Sequence, residues 1–175
     1  MEENESLSER CQKEVVDLHR FFEDWFSGRL RKDEDAFVRF TRVTAPFFQW
    51  VSPEGEAEEL LPLCRRLHQA QGIHMDSSPR FRIWIERFQV RFQTEDVLLC
   101  TYEEHQEIQG RRSGRLSTAL FRNRAKTPHG VEWVHVHEVW LPGLGPGHQE
   151  DWLAEWDREL NSIREPKDPN PGEEE

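Results

Sequence analysis

The amino-terminal part of the chain shows the hydrophobic spacing of an amphipathic helix. Apolar residues recur every three or four positions, at Cys11, Val15, Leu18, Phe22 and Trp25. This spacing places them on one face of a helix, with polar residues on the opposite face. The pattern predicts a first helix that packs an aromatic-rich face onto the protein core.

Three further elements follow before residue 72. A shorter helix is predicted over residues 33–41, with acidic residues in its first turn, where they complement the helix dipole. Residues 45–52 are rich in strand-forming aromatic residues and end in the turn Pro53-Glu54-Gly55. Helical spacing returns over 59–71, and the position of Pro62 requires this helix to start near residue 59 or 60.

From residue 79 to residue 142 the apolar period changes to two, which is the spacing of strands with one buried face. Short turns divide this stretch into four strands. The alternation shifts phase at Glu86-Arg87, which predicts a β-bulge. Four consecutive strands with short connections form an antiparallel meander. The predicted fold class is therefore α+β, with helices packed on one face of a curved sheet.

Composition separates a central domain from two acidic ends. The chain has 175 residues and a formal net charge of -11, and most of that charge lies near the termini. We predict an acidic, disordered amino terminus over 1–8 and a folded domain over 9–143. A linker with a C-terminal amphipathic helix is predicted over 144–163, and an acidic, disordered tail over 164–175.

Charge and hydropathy also exclude several partners. The central domain carries no broad basic field, so nucleic acid is not expected as a partner. No apolar run reaches the roughly 18–20 residues of a membrane helix, and no membrane partner is expected. The three cysteines are far apart in the sequence, which favours a reducing compartment and predicts a cytoplasmic location.

The order of elements and one short motif indicate a family. A helical start, a strand with a Pro-x-Gly turn, another helix and four long strands resemble the nuclear transport factor two-like superfamily, over about residues 9–143. The most specific match is Trp133-Val134-His135-Val136-His137, which is similar to the last strand of SnoaL-like and kinase association domains. Scytalone dehydratase and ketosteroid isomerase share this fold.

The resemblance implies a cone-shaped, curved antiparallel sheet with three amino-terminal helices on its concave face. The open end of such a cone leads to a pocket. Some members of the superfamily use the pocket as an enzyme site, many bind a small molecule in it, and others only dimerise. The resemblance therefore leaves three possibilities for this chain: an enzyme site, a ligand-binding pocket or a module that only dimerises.

Strand alternation places Trp133, His135 and His137 on one face of the last strand. An imidazole in a pocket can donate a hydrogen bond or act as a general base. The alternative is a structural role, with the ring satisfied by its neighbours. A metal would require a third ligand. The sequence fixes no acid at the needed geometry, and His105 is the only obvious third histidine, so no metal or other cofactor is predicted.

On the second long strand, Tyr102 and Glu104 share a face with apolar neighbours. A carboxyl group in such surroundings has a raised pKa, and a nearby tyrosine hydroxyl can stabilise an oxyanion. These two residues and His137 are the catalytic candidates. If the strand faces the other way, Thr101, Glu103 and His105 line the pocket instead.

Arg115 and Arg122 are candidates for binding an acidic ligand, since a guanidinium binds carboxylate or phosphate in a bidentate manner. The predicted ligand-binding residues are Trp133, His135, Arg115, Arg122 and Trp84.

The preferred hypothesis is a non-catalytic module that binds a small hydrophobic or acidic ligand, or assembles as a homodimer through the outer face of its sheet. It rests on the lack of a recognisable catalytic set. The alternative is a SnoaL-type lyase or isomerase that acts on a small hydrophobic carbonyl compound by general acid/base catalysis.

Overall fold

The computed structural model describes residues 5–145. The predicted C-terminal helix and the predicted acidic tail lie outside these residues, as does most of the linker.

Three helices precede the meander: α1 spans Leu7–Phe26, α2 spans Glu34–Thr41 and α3 spans Leu60–Gln69. Helix α1 begins inside the span 1–8 that the sequence assigned to a disordered terminus. The reason is a capping box, in which the Ser6 side chain accepts from the Glu9 backbone N–H at 3.2 Å and Glu9 accepts from the Ser6 N–H at 2.9 Å. These two bonds satisfy helix donors that would otherwise be unpaired.

The predicted apolar face of α1 is confirmed. Cys11, Val15 and Trp25 are fully buried, and Leu18 is almost so. The indole of Trp25 also donates to the backbone carbonyl of Leu67 at 2.9 Å, which ties α1 to the end of α3. The helices cover the concave face of the sheet, with α1 on its meander side and α3 on the first strand.

The sheet has six strands in the spatial order β2-β1-β6-β5-β4-β3. The meander is antiparallel, as predicted, but β1 pairs in parallel with β6 and the sheet is therefore mixed. A period of two fixes which face of a strand is buried, and it carries no information on the direction of a distant partner strand. The short strand β2 was not predicted. The strands are β1 Thr44–Val51, β2 Ala57–Glu59, β3 Arg82–Gln93, β4 Val97–Ile108, β5 Arg111–Asn123 and β6 Val131–Trp140.

The predicted bulge in β3 is present. Pairing with β4 is interrupted between Glu86 and Gln89, and Arg87 has a φ of 52°, in the left-handed region. The bulge moves the inward apolar set of β3 from odd positions to Val90, as the sequence indicated. A further irregularity between Val90 and Phe92, which the sequence did not predict, turns Phe92 to the outer face.

A bulge in β6 was not predicted either. Leu120 pairs with His135 and Phe121 with Trp133, which leaves Val134 as an extra residue. One extra residue changes the face of every side chain that follows it. The two halves of β6 therefore have opposite alternation.

A buried ion pair connects α1, α2 and β6. The Glu14 side chain is fully buried, and both of its oxygens accept bonds from the guanidinium of Arg39, at 3.0 and 3.1 Å. The indole N–H of Trp133 donates to the same carboxylate at 3.1 Å. Three donors thus satisfy a charge that would be costly to bury alone.

None of the three helices in the described part of the chain is both long and apolar enough to span a membrane.

The Glu14 pair gives a stability prediction. Arg39→Ala leaves a buried carboxylate without its counter-charge, and we expect a loss of about 3–5 kcal/mol in the free energy of unfolding, measured by urea denaturation. The matched control is Arg20→Ala, whose partner Asp17 is also exposed, with an expected change below about 0.5 kcal/mol. Equal losses in the free energy of unfolding for the two variants would contradict a stabilising role of the buried Glu14–Arg39 pair.

Candidate ligand-binding cavity

A cavity of about 360 Å³ lies between the helices and the concave face of the sheet. Its walls are mostly aromatic and aliphatic, and its polar side chains come mainly from the strands of the meander. The aromatic rings of the wall belong to Phe22, Phe26, Phe40, Phe48, Trp50, Tyr102, Trp133 and Trp140.

The sheet side of the cavity carries two buried carboxyl groups on neighbouring rows. Glu104 of β4 is 5% exposed and Glu138 of β6 is 4% exposed. The Arg115 guanidinium of β5 lies between them, 3.8 Å from a Glu104 oxygen and 3.3 Å from a Glu138 oxygen. Gln106 donates to Glu104 at 2.6 Å, and the Ser117 hydroxyl donates to Glu138 at 3.4 Å.

Helix α1 adds a histidine to this cluster. A carbonyl oxygen can only accept, so Nδ1 of His19 donates to the backbone oxygen of Val15, 2.6 Å away. Nε2 of the same ring lies 3.0 Å from Glu104. Burial would lower the pKa of His19, but the Glu104 charge and hydrogen bond outweigh burial and raise it. Both ring nitrogens of His19 thus face acceptors, the Val15 carbonyl and the Glu104 carboxylate, an arrangement that matches the two donors of an imidazolium.

The two carboxyl groups differ in charge state because their neighbours differ. Burial alone would raise the pKa of Glu104, but Arg115 and His19 outweigh it and hold that pKa well below its usual range. Burial, with repulsion from Glu104, raises the pKa of Glu138 to about 7, and Arg115 only partly opposes this. Two carboxyls with separated pKa values present one fixed acceptor and one group that gains a proton near neutral pH.

Four of the residues selected from the sequence line the cavity: Tyr102, Glu104, Arg115 and Trp133. The inward face of β4 is thus the one that carries Glu104. Tyr102 is fully buried, and burial raises the pKa of its hydroxyl well above the usual value. It packs edge-on against His19, with 5.5 Å between the ring centres.

The other four residues selected from the sequence, His135, His137, Arg122 and Trp84, lie away from the cavity. His135 and His137 follow the bulge and point to the outer face of the sheet, where His137 is exposed. His137 is therefore not brought together with Tyr102 and Glu104. Arg122 pairs with Glu132 and lies over the ring of Phe47.

The last of these, Trp84, belongs to an outer-face cluster. Its ring stacks on His105, with 5.4 Å between ring centres. His105, Glu103 and Glu86 have ligand atoms close enough together for a metal ion. However, Arg112 donates to Nδ1 of His105 at 3.1 Å, which leaves the proton on Nε2, facing Glu103 at 3.1 Å. Since hydrogen bonds account for this cluster, we assign no metal to it.

Two members of the buried charged cluster, His19 and Glu138, were not selected from the sequence. His19 lies at a position of α1 where the helical period expects an apolar residue, and that mismatch was the available signal. Strict alternation from Trp133 puts Glu138 on the opposite face of the last strand, and only the unpredicted bulge at Val134 turns Glu138 into the cavity.

Solved structures share the fold of this chain. Residues of this chain superpose on an NTF-2 like protein of unknown function from Pseudomonas aeruginosa with a TM-score of 0.66 at 24% identity, covering 75% of this chain and 98% of that one. A CaMKII hub from S. rosetta matches with a TM-score of 0.57 at 14% identity, covering 79% and 99%. At these identities the likeness concerns the fold alone, and it confirms the predicted nuclear transport factor two-like fold.

The chain belongs to the family described as sucrose-6-phosphate phosphohydrolase C-terminal, whose model matches residues 11–142. Among curated proteins it is similar to sucrose-phosphatase 2 from Nicotiana tabacum, 28% identical over 142 residues, or 80% of this chain and 33% of the relative. It is also similar to "Probable sucrose-phosphatase 3a" from Arabidopsis thaliana, 23% identical over 141 residues, or 80% and 32%. The chain thus spans about a third of the length of these relatives.

The raised pKa of Glu138 predicts a pH-dependent stability. Between about pH 4.5 and 7 the folded chain retains a proton that the unfolded chain has released, so this contribution to stability is complete below pH 4.5 and is lost as the pH rises through 7. Glu138→Gln replaces the carboxyl group with an amide that cannot ionise, so the variant should not lose this stability as the pH rises. We expect the variant to exceed the wild type by about 1–3 kcal/mol at pH 8, and to match it far more closely at pH 5.

Urea denaturation at the two pH values measures the difference. Glu95→Gln, an exposed site in the β3–β4 turn, is the control and should follow the wild type at both. If Glu138→Gln also follows the wild type at both, Glu138 is not held in a site that disfavours its charge.

Proposed function

We propose that this chain is a small-ligand-binding domain and that the cavity is its binding site. The observation that supports the proposal is the set of charged side chains, Glu104, Arg115 and Glu138, on one wall of an otherwise aromatic cavity. Clefts that bind small molecules combine apolar walls with a few convergent polar groups in this way.

The energetics favour a functional role for the polar wall. Removing charges from water is costly, and an apolar core of the same volume is often as stable or more so. The raised pKa of Glu138 shows that Arg115 does not fully offset the cost of its burial. A ligand that hydrogen-bonds to this wall would supply partners for these buried polar groups, which accounts for their presence in the cavity.

The curated relatives suggest which compounds to test first. Their names describe sucrose-phosphatases, so sugars and sugar phosphates are the first candidate ligands. This chain spans about a third of those proteins, and we do not extend their phosphatase activity to it.

A second candidate function is general acid/base catalysis, which the separated pKa values of Glu104 and Glu138 favour. Binding remains the preferred function because of the histidine. Both ring nitrogens of His19 are already engaged, one with Val15 and one with Glu104. His137 lies on the outer face, so the proposed lyase or isomerase lacks its imidazole base.

The outer face of the sheet supports a separate proposal, self-association. A row of apolar residues crosses the meander, running from Phe92 through Leu99 and Leu120, and Phe92 is 59% exposed. In the next row Thr118 lies between His137 and Thr101, and Arg91 donates to the Thr101 hydroxyl at 2.8 Å. An exposed row of apolar residues is typical of a protein interface, and a second copy of the chain is the proposed occupant. The cytoplasmic location stays a prediction.

The ligand-binding proposal is tested by narrowing the cavity. Ala70→Phe adds a ring at a position that lines it, and we expect the variant to lose a small molecule that the wild type retains in native mass spectrometry from lysate. Ala125→Phe, in the exposed β5–β6 turn, is the matched control and should retain it. Equal retention by both variants, or a wild type that carries no small molecule, would count against the proposal.

Self-association is tested by sedimentation at micromolar concentration. The wild type is expected at twice the chain mass of 20.9 kDa. Thr118→Glu places like charges opposite each other in a symmetric dimer, and we expect it to shift the protein to the monomer. Gln69→Glu, on the exposed side of α3, should leave the dimer intact. A wild type that sediments as a clean monomer refutes this proposal.

A further inference from the structure

The two sides of the cavity differ in chemistry. Helices α1 and α3 and strand β1 contribute mostly aliphatic and aromatic side chains, and the exceptions are the buried His19 and the partly exposed Arg66. Glu54 and His74 reach the cavity from the adjoining turns. The sheet side carries hydrogen-bonding groups on three adjacent strands: Glu104 and Gln106 on β4, Arg115 on β5 and Glu138 on β6. A ligand that fills this space must offer an apolar face to one side and several polar groups to the other.

An anionic ligand is disfavoured by the pairing of the cations. Arg115 lies between two carboxyl groups, and Arg66, at the rim, binds Glu58 at 2.6 Å. His19 is committed to Glu104. Among the described lining residues, a phosphate or carboxylate would therefore have to displace an acid from its partner while lying close to Glu104.

A cationic ligand is disfavoured by the same arginines. The Arg66 guanidinium lies over the Trp50 ring, 5.0 Å from its centre. The Arg115 guanidinium lies over Trp140 at 5.2 Å. A guanidinium on an aromatic face occupies the position where an ammonium group would bind, and it repels a second cation. The cavity therefore suits an uncharged compound.

The polar wall alternates donors and acceptors. Arg115 and Gln106 donate, Glu104 accepts, and Glu138 does either according to its proton. Neighbouring hydroxyl groups, each able to donate and accept, match such a row. With about 30 Å³ for each water molecule in the liquid, 360 Å³ is the space of about a dozen waters, which is close to a single sugar ring in size.

We propose that the ligand is a neutral, polyhydroxylated ring compound, a sugar or a cyclic polyol, with its hydroxyl groups on the wall of Glu104, Arg115 and Glu138. Its C–H face packs on the aromatic side of the cavity. This inference rests on the proposed function, that the cavity binds a small molecule.

The test compares compounds that share a ring and differ in charge. Saturation-transfer NMR with the full chain at pH 7 measures binding of glucose, fructose, sucrose and myo-inositol. Glucose 6-phosphate, glucosamine and cyclohexylmethanol are the anionic, cationic and apolar counterparts. At least one neutral polyol should bind tenfold or more tightly than all three counterparts, and Ala70→Phe should abolish its signal.

Two variants test the wall itself. Glu138→Leu and Gln106→Leu each remove a hydrogen-bonding group, and each should weaken the polyol at least tenfold. Glu95→Leu, on the exposed β3–β4 turn, should not. Two variants are used so that a folding defect in one leaves the other informative.

The outcomes separate this inference from the proposed function. Tighter binding of the phosphate, the amine or cyclohexylmethanol, still abolished by Ala70→Phe, overturns the ligand class and leaves the binding function standing. The proposed ligand class is also overturned if a polyol binds as tightly to Glu138→Leu and to Gln106→Leu as it does to the wild type. If no compound gives a signal that depends on Ala70, both the inference and the proposed function fail.

Discussion

The single extra residue at Val134 in β6 decides which chemistry the cavity contains. Before the bulge, Trp133 faces the cavity; after it, Val136, Glu138 and Trp140 do so. An uninterrupted strand would place His135 and His137 inside and Glu138 outside, because one residue of register exchanges the two faces of a strand. The bulge therefore replaces a pair of imidazoles with a carboxyl group facing Arg115, and the electrostatics of the site follow from that exchange.

The resulting cluster is balanced internally. Glu104 has both a guanidinium and an imidazolium as neighbours, whereas Glu138 shares Arg115 with a carboxylate that is already ionised. This asymmetry leaves Glu104 as a fixed acceptor and Glu138 near its point of protonation. Arg115 and His19 are both paired with carboxyl groups of the cluster, so the wall offers hydrogen bonds but no unpaired cation. This suits a neutral ligand better than the acidic ligand that Arg115 alone suggests.

The sequence predicts most helices and strands well, because the spacing of apolar residues and the residue types of turns depend only on neighbours along the chain. It also predicts the bulge at Arg87, since apolar residues of opposite phase flank it. The bulge at Val134 is hidden because both faces of β6 are apolar, so a change of phase leaves no trace in the pattern. Parallel pairing of β1 with β6 is a long-range property. Glu14 and His19 carried a readable signal, as polar residues at buried positions of an otherwise apolar helix face.

Carboxyl-detected NMR of the ¹³C-labelled chain across a pH titration tests the central claim, that Glu138 lies inside beside an ionised Glu104. The account predicts that Glu138 titrates near pH 7, while Glu104 stays ionised well below the ordinary range of a glutamate. An outward-facing Glu138 would be solvated and would titrate near the ordinary value of about 4.3. Ordinary titration of both groups would contradict the bulge-directed arrangement on which the cavity's chemistry depends.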